Sequence, residues 1–340
     1  MLKTKILLST FFLFIATWHA ANSNANGKSI LFSFEKKFTA NEVVHIKVFS
    51  QLKVQSITFS SDIGNYSVWA NGTEIANSVN FPLIKFSISN DSVEVKTFEN
   101  VLGKYKNVKI SSADGVKSFR LKLIVPDRKP RIYEDNLLVS AEFGNLKCIN
   151  EISLDNYIAG VVQAESGRRS FQEFYKVQAI LARTFALSHL QKHATEGFNL
   201  CDYTHCQAYF GRTTEQEIMK AVNDTKGKVV VDDNLNLIDA AFHSNSGGQT
   251  ANSEDVWGSK LSYLRSVNDS FSTKMPNAKW ERKMATDDWL SYLNLKHNYP
   301  IQDSNARWLA LTFKQDNRNP YLCLLYTSPS PRDRQKSRMP

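Results

Sequence analysis

Between residues 28 and 150, apolar side chains fall on alternate positions in short runs at 43–49, 56–59, 66–69, 84–88 and 119–125. Alternation puts every second side chain on one face of an extended backbone, so each run predicts a half-buried strand. Asn71-Gly72 and Asp114-Gly115 supply the residue types that tight hairpin turns require, and they predict antiparallel pairing. This part of the chain is expected to be β-rich.

The period changes near Ser153. Residues 153–165 predict a helix with Ser153 as N-cap, and Ser170 is expected to open a longer helix. Its positions Phe174, Val177, Ile180, Leu181, Thr184 and Leu187 share roughly one face. Thr214 and Glu217 have capping-box spacing ahead of a shorter helix that ends near Gly227. Residues 228–231 and 237–242 predict paired strands, Thr286 begins another helix, and 307–313 predicts a strand. Strands followed by a mixed helical and β region make the fold class α+β.

The two ends of the chain read differently from the body. Lys3 and Lys5 precede an apolar run over residues 6–18 and a small, polar stretch to Ala25. This pattern predicts a signal peptide over 1–25, cleaved after Ala25 with Ser23 at the other small position. The apolar run is short for a bilayer span, which leaves an uncleaved anchor as the second reading. No cysteine follows it, against a lipoprotein. At the other end, residues 321–340 are dense in Pro, Ser and Arg, a composition that buries no core. They read either as a disordered basic tail or as a non-native peptide, resembling a translated sequencing adapter fused to a truncated frame. The organisation expected is then a β-rich accessory region over 26–150 and a mixed region over 151–320.

Formal charge is +9 over 340 residues. Setting aside Lys3, Lys5 and the net three positive charges of the last fourteen residues leaves about +4 on the body. That balance suits an anionic polymer environment and, without a basic stripe in an exported chain, points away from nucleic acid. No membrane span is expected after signal cleavage, and the predicted location is secreted, in the periplasm or cell envelope. The cysteines Cys148, Cys201, Cys206 and Cys323 are too few and too uneven for a disulfide framework.

Cys201, His205 and Cys206 place two thiols and an imidazole within six residues. Zinc takes such donors tetrahedrally and needs four in a closed structural site. His193 is the favoured fourth ligand, with His189, one helical turn earlier, close behind. A Cys201–Cys206 disulfide is the competing reading, but it would make no demand on His205.

Glu165 ends an apolar helical run, where desolvation would favour its protonated form and suit it to donate a proton. A merely solvated helix end is the alternative. Arg183 sits on an otherwise apolar helix and is expected to pair with an acid, hold a substrate or orient a carboxylate. Residues 243–258 join hydroxyls, amides, Gly247, Gly248 and Trp257, a combination suited to sugar hydroxyls and ring faces. A nucleophilic Ser246 with His243 is a weaker reading of the same loop.

Five segments in order, 154–165 (LDNYIAGVVQAE), 178–187 (QAILARTFAL), 200–209 (LCDYTHCQAY), 242–250 (FHSNSGGQT) and 254–267, resemble the SpoIID/LytB family of bacterial cell-wall proteins. The resemblance covers roughly residues 150–270 and implies a SpoIID-type catalytic region. It implies a lytic transglycosylase acting on peptidoglycan glycan strands, notably peptide-denuded ones, or an amidase enhancer that binds glycan and stimulates a cell-wall amidase. It places the catalytic acid on Glu165, a required arginine on Arg183 and, more loosely, a basic residue on Arg265. Tyr157, Ser244, Ser246, Gly247, Gly248 and Trp257 are the expected substrate-binding residues. Zinc on His193, Cys201, His205 and Cys206 would be structural. The spacing upstream of Cys201 departs from the family's, which leaves the fourth ligand open, and so does the C-terminus, where the family continues with further strands. A zinc hydrolase is a third reading, weakened because a closed site leaves no open coordination position.

Overall fold

The computed structural model describes residues 5–7, 42–112, 117–275, 278, 285–297, 311–313 and 321–323. The chain divides after Ala241 into two compact units. The first holds a six-stranded and a seven-stranded sheet, a two-stranded pair and three α-helices, so the fold is α+β with a β-rich first part, as the alternation predicts.

The six-stranded sheet runs β11-β10-β3-β6-β7-β8. It comprises β3 (Ser56–Ile63), β6 (Ile84–Ser89), β7 (Ser92–Lys96), β8 (Val101–Tyr105), β10 (Ser118–Val125) and β11 (Arg131–Glu134). The seven-stranded sheet runs β14-β2-β13-β12-β9-β4-β5. Its strands are β2 (Val43–Val48), β4 (Ser67–Ala70), β5 (Thr73–Asn77), β9 (Asn107–Ser111), β12 (Asn136–Glu142), β13 (Asn145–Ser153) and β14 (Leu200–Cys201). In β10 the alternation is plain: Phe119, Leu121 and Leu123 are buried while Arg120 and Lys122 face water. Phe59, Phe86 and Val95 of one sheet and Ile46, Val108 and Val139 of the other share a single hydrophobic core. Asn71 and Gly72 take φ of 51° and 79° in the hairpin between β4 and β5. The expected Asp114-Gly115 turn lies outside the described residues.

β13 passes directly into α1 (Leu154–Ser166), where Ser153 Oγ accepts the Asn156 N–H as the expected N-cap. α2 (Gln172–Ser188) starts two residues later than expected: Phe171 is its N-cap, and the Ser170 N–H instead donates to Tyr175 Oη at 3.1 Å. α3 (Gln216–Asp224) forms without the Thr214–Glu217 capping box, because the hydroxyl of Thr213 takes the Glu215 N–H. β15 (Val229–Val231) is present, but residues 237–242 do not form its paired strand. A lone bridge joins Val231 to Leu237, and the antiparallel partner of β15 is β1 (Lys5–Leu7). The rest of the expected signal peptide lies outside the described residues.

The second unit contains α4 (Ser253–Trp257), the expected helix α5 (Thr286–His297), and a β16 (Leu311–Phe313) and β17 (Tyr321–Cys323) pair. Residues 324–340 of the expected tail lie outside the described residues. Among the described residues, no helix is long and apolar enough to cross a membrane.

Candidate functional site

The segment from Leu200 to Arg212 is fastened on both sides. β14 adds in parallel to the edge strand β2, Leu200 beside Ile46 and Cys201 beside Lys47. Asp202, 5% exposed, then accepts the backbone N–H groups of Phe49 and Ser50 and the Ser50 hydroxyl, and pairs with Arg131 at 3.1 Å. Further on, Tyr209 Oη donates to Asn150 Oδ1, and the Arg212 N–H donates to Ile132 O. Gly211 has φ of +108° and lies so close to Ile132 O that a side chain there would collide with it.

This anchoring gathers one ligand atom each from His193, Cys201, His205 and Cys206 within 4.8 Å of one another. The separations are 3.5 Å for Cys206 Sγ to His193 Nε2, and 3.8 Å for each Sγ to His205 Nδ1. Tetrahedral bonds of about 2.3 Å to sulfur and 2.0 Å to nitrogen would put neighbouring S and N ligands about 3.5 Å apart, so the donor set fits a zinc-like ion. His193 Nδ1 lies 2.5 Å from Glu196 Oε1, which turns Nε2 toward the cluster as an outer carboxylate does in metal sites. His189 is turned elsewhere: its ring stacks on Phe185 at 4.1 Å and its Nδ1 contacts Phe185 O. Cys201 and Cys206 are free thiols, not a disulfide. The contact between the two thiols lowers the pKa of Cys201 and raises that of Cys206.

Glu165, one residue from the end of α1, is exposed to solvent, so its apolar approach does not bury it. Its Oε1 accepts the Ala208 N–H at 2.9 Å, two residues beyond the last cluster ligand. Tyr157 is wholly buried, and its hydroxyl donates to Gln207 Oε1 at 3.2 Å. α1 can lie this close because of Gly160: a Cβ there would stand 2.5 Å from both Gly211 O and the Tyr209 ring.

Arg183 is 1% exposed. Its guanidinium donates to the carbonyls of Val222, Thr225 and Lys228 and to Asp155, capping the C-terminal end of α3 and tying it to α1.

The second unit carries the polar loop. Ser246 Oγ donates to Asp269 Oδ2 at 2.7 Å and lies 2.7 Å from Ser272 Oγ, and the Gly248 N–H donates to both serine hydroxyls. The Gly247 N–H donates to Asn245 Oδ1, and Ser244 is exposed. The Ser246 hydroxyl holds the Asp269 carboxyl below its usual range. Arg265 forks onto Glu254, with Nη1 to Oε1 at 2.7 Å and Nη2 to Oε2, while Nη2 also reaches Ser253 Oγ and Nε donates to Leu264 O. That fork, with a smaller share from Ser253, holds the Glu254 carboxyl down near 2. Trp257, the last residue of α4, is 43% exposed.

Asp202, Glu196 and Gln207 are absent from the sequence-level candidates. Glu196 was open to inference, since a carboxylate three residues after a ligand histidine lies within reach of its second nitrogen. The partners of Asp202 and Gln207 come from remote segments and leave no local signal.

Residues 142–231 match the family model SpoIID, stage II sporulation protein. Stage II sporulation protein D of Bacillus subtilis (strain 168) is 30% identical over 164 residues, covering 44% of this chain and 48% of that protein. An amidase enhancer of the same organism is 35% identical over 123 residues, covering 36% of this chain and 16% of that protein. The chain thus spans about half the length of the first relative and about a sixth of the second.

Proposed function

With a SpoIID-family region over residues 142–231 as the premise, we propose that this chain is an exported lytic transglycosylase of the bacterial cell wall, working in the periplasm or cell envelope on peptide-denuded glycan strands. The observation that carries the reading is Glu165: a solvent-exposed carboxyl at the end of a buried helix, with one oxygen held by the Ala208 N–H. As general acid it gives its proton to the glycosidic oxygen between N-acetylmuramic acid and N-acetylglucosamine while the bond from that oxygen to the anomeric carbon breaks. As base it then takes the proton of the muramyl 6-hydroxyl, whose oxygen closes onto the same carbon. The products are a 1,6-anhydro end and a free 4-hydroxyl; no water is consumed. An internal nucleophile removes the need for a second carboxylate.

His193, Cys201, His205 and Cys206 would hold a structural zinc. Four protein ligands fill a tetrahedral ion, which would act there as a staple. Arg183 supports the reaction through the fold, since its guanidinium is enclosed by backbone carbonyls and Asp155. Arg265, locked onto Glu254, shapes the loop that carries Ser246, Gly247, Gly248 and, beside it, the exposed Trp257, which offers a sugar platform.

A second reading has the chain bind glycan and stimulate a cell-wall amidase without cleaving; the amidase enhancer among its relatives favours it. The two part on products. Wild type and Glu165→Gln are incubated with peptide-free glycan strands and the products analysed by mass spectrometry. The expected result is anhydro-muramyl ends from the wild type alone, with the variant equally well folded. Turnover retained in a folded Glu165→Gln removes this residue from the mechanism, and wild-type binding without cleavage gives the enhancer reading.

A further inference from the structure

We propose that Gln207 is the positioning residue of Glu165, an inference that rests on the acid role given to Glu165 above. Gln207 is 4% exposed and both ends of its amide are engaged: Oε1 accepts from Tyr157 of α1, and Nε2 donates to the Ala182 carbonyl of α2 at 3.3 Å. The peptide that joins Gln207 to Ala208 carries the N–H that meets Glu165 Oε1. Holding the Gln207 side chain between two helices therefore fixes the plane from which that N–H points.

Satisfying buried groups explains one end of this amide, where Oε1 takes the hydroxyl of the wholly buried Tyr157, but not the other. Ala182 lies inside α2, where its carbonyl already receives the N–H four residues on, so Nε2 is a second donor that the helix does not need. An apolar side chain of similar volume would leave the Tyr157 hydroxyl unpaired but would strand no group of α2. The geometry instead transmits position. α1 carries both Tyr157 and Glu165, and the route from Tyr157 through Gln207 and Ala208 closes back onto Glu165. An acid that gives one proton and then takes another profits from such a loop, because its carboxyl must stand within reach of two substrate oxygens in turn.

The test uses the full chain on peptide-free glycan strands, with kcat, KM, melting temperature and the exchange rate of the Ala208 amide read by NMR. Gln207→Leu is expected to lower kcat by about 10- to 100-fold with KM within about twofold of wild type. Ala208 exchange should rise by about tenfold or more, while the melting temperature falls by no more than the few degrees that an unpaired Tyr157 hydroxyl costs. Tyr157→Phe, which removes one of the two tethers, should move kcat and exchange in the same direction by about threefold. A folded Gln207→Leu with wild-type kcat, or with Ala208 still protected, overturns the proposal. If Gln207→Leu does not fold, Tyr157→Phe decides, and unchanged kcat and exchange in it overturn the proposal equally. If the wild type leaves the strands intact, the transglycosylase reading falls, while Ala208 exchange still decides the tether because it needs no turnover.

Discussion

Arg183 has more to lose than any exposed residue of the first unit. It brings a charge into the interior and answers it with three carbonyls and Asp155, and burial is the main influence that lowers its pKa. Arg183→Met would leave the carbonyls at the C-terminal end of α3 without this donor and Asp155 with Lys226 in place of the pair, and a loss of about 3 kcal/mol is expected from breaking such a buried set. Lysine cannot repair it, since one ammonium does not reproduce a planar fork. Urea denaturation would show the drop as a lower midpoint, and activity would fall in step with the folded fraction. An Arg183→Met protein of wild-type stability but no activity would return this arginine to the chemistry. The same side chain marks what residue-level sequence reading delivers. An arginine on an apolar helix announces that it pairs, and Asp155 is its acid partner. That its other acceptors are backbone carbonyls 39 to 45 positions away has no trace in the sequence.

At the scale of elements, the crossing of α1 over the 207–211 segment decides how near Glu165 can come to Ala208. Gly160 sits in the interior of a helix, where replacement by alanine ordinarily stabilises by up to about 1 kcal/mol. Here the added Cβ would meet the Gly211 carbonyl and the Tyr209 ring at 2.5 Å, so Gly160→Ala should instead destabilise by roughly 1–3 kcal/mol. Thermal unfolding checks the sign; a gain in melting temperature would mean that α1 is free to shift. Elements were legible where their signal is local. Alternation exposed β2, β3, β6 and β10, and Ser153 marked the start of α1. Ser170 and Thr214 misplace the starts of α2 and α3 because Tyr175 and Thr213 satisfy the neighbouring N–H groups. Residues 237–242 have a strand's composition, but β15 pairs with β1 instead. The cysteine and histidine cluster could be read because three of its four residues are neighbours in sequence.

For the first unit as a whole, the ligand cluster joins parts of different origin. Cys201 belongs to the seven-stranded sheet, while His193 follows α2. An ion held there would bind sheet to helix, and its binding free energy would add to that of folding. Cys206→Ser is expected to lower metal stoichiometry and to drop the melting temperature by roughly 5–10 °C. A chelator should reproduce that drop in the wild type and add little in the variant. Metal content unchanged by the substitution would rule the cluster out as a metal site.

The parallel seam between β2 and β14 also sets a timetable. Its two strands are separated by about 150 residues of chain, and contacts that distant form late because a large loop must close first. The nascent protein can build most of both sheets before Cys201 has an edge to join. Capture of an ion by the cluster would then fall among the last events of maturation, after Cys201 has joined its edge.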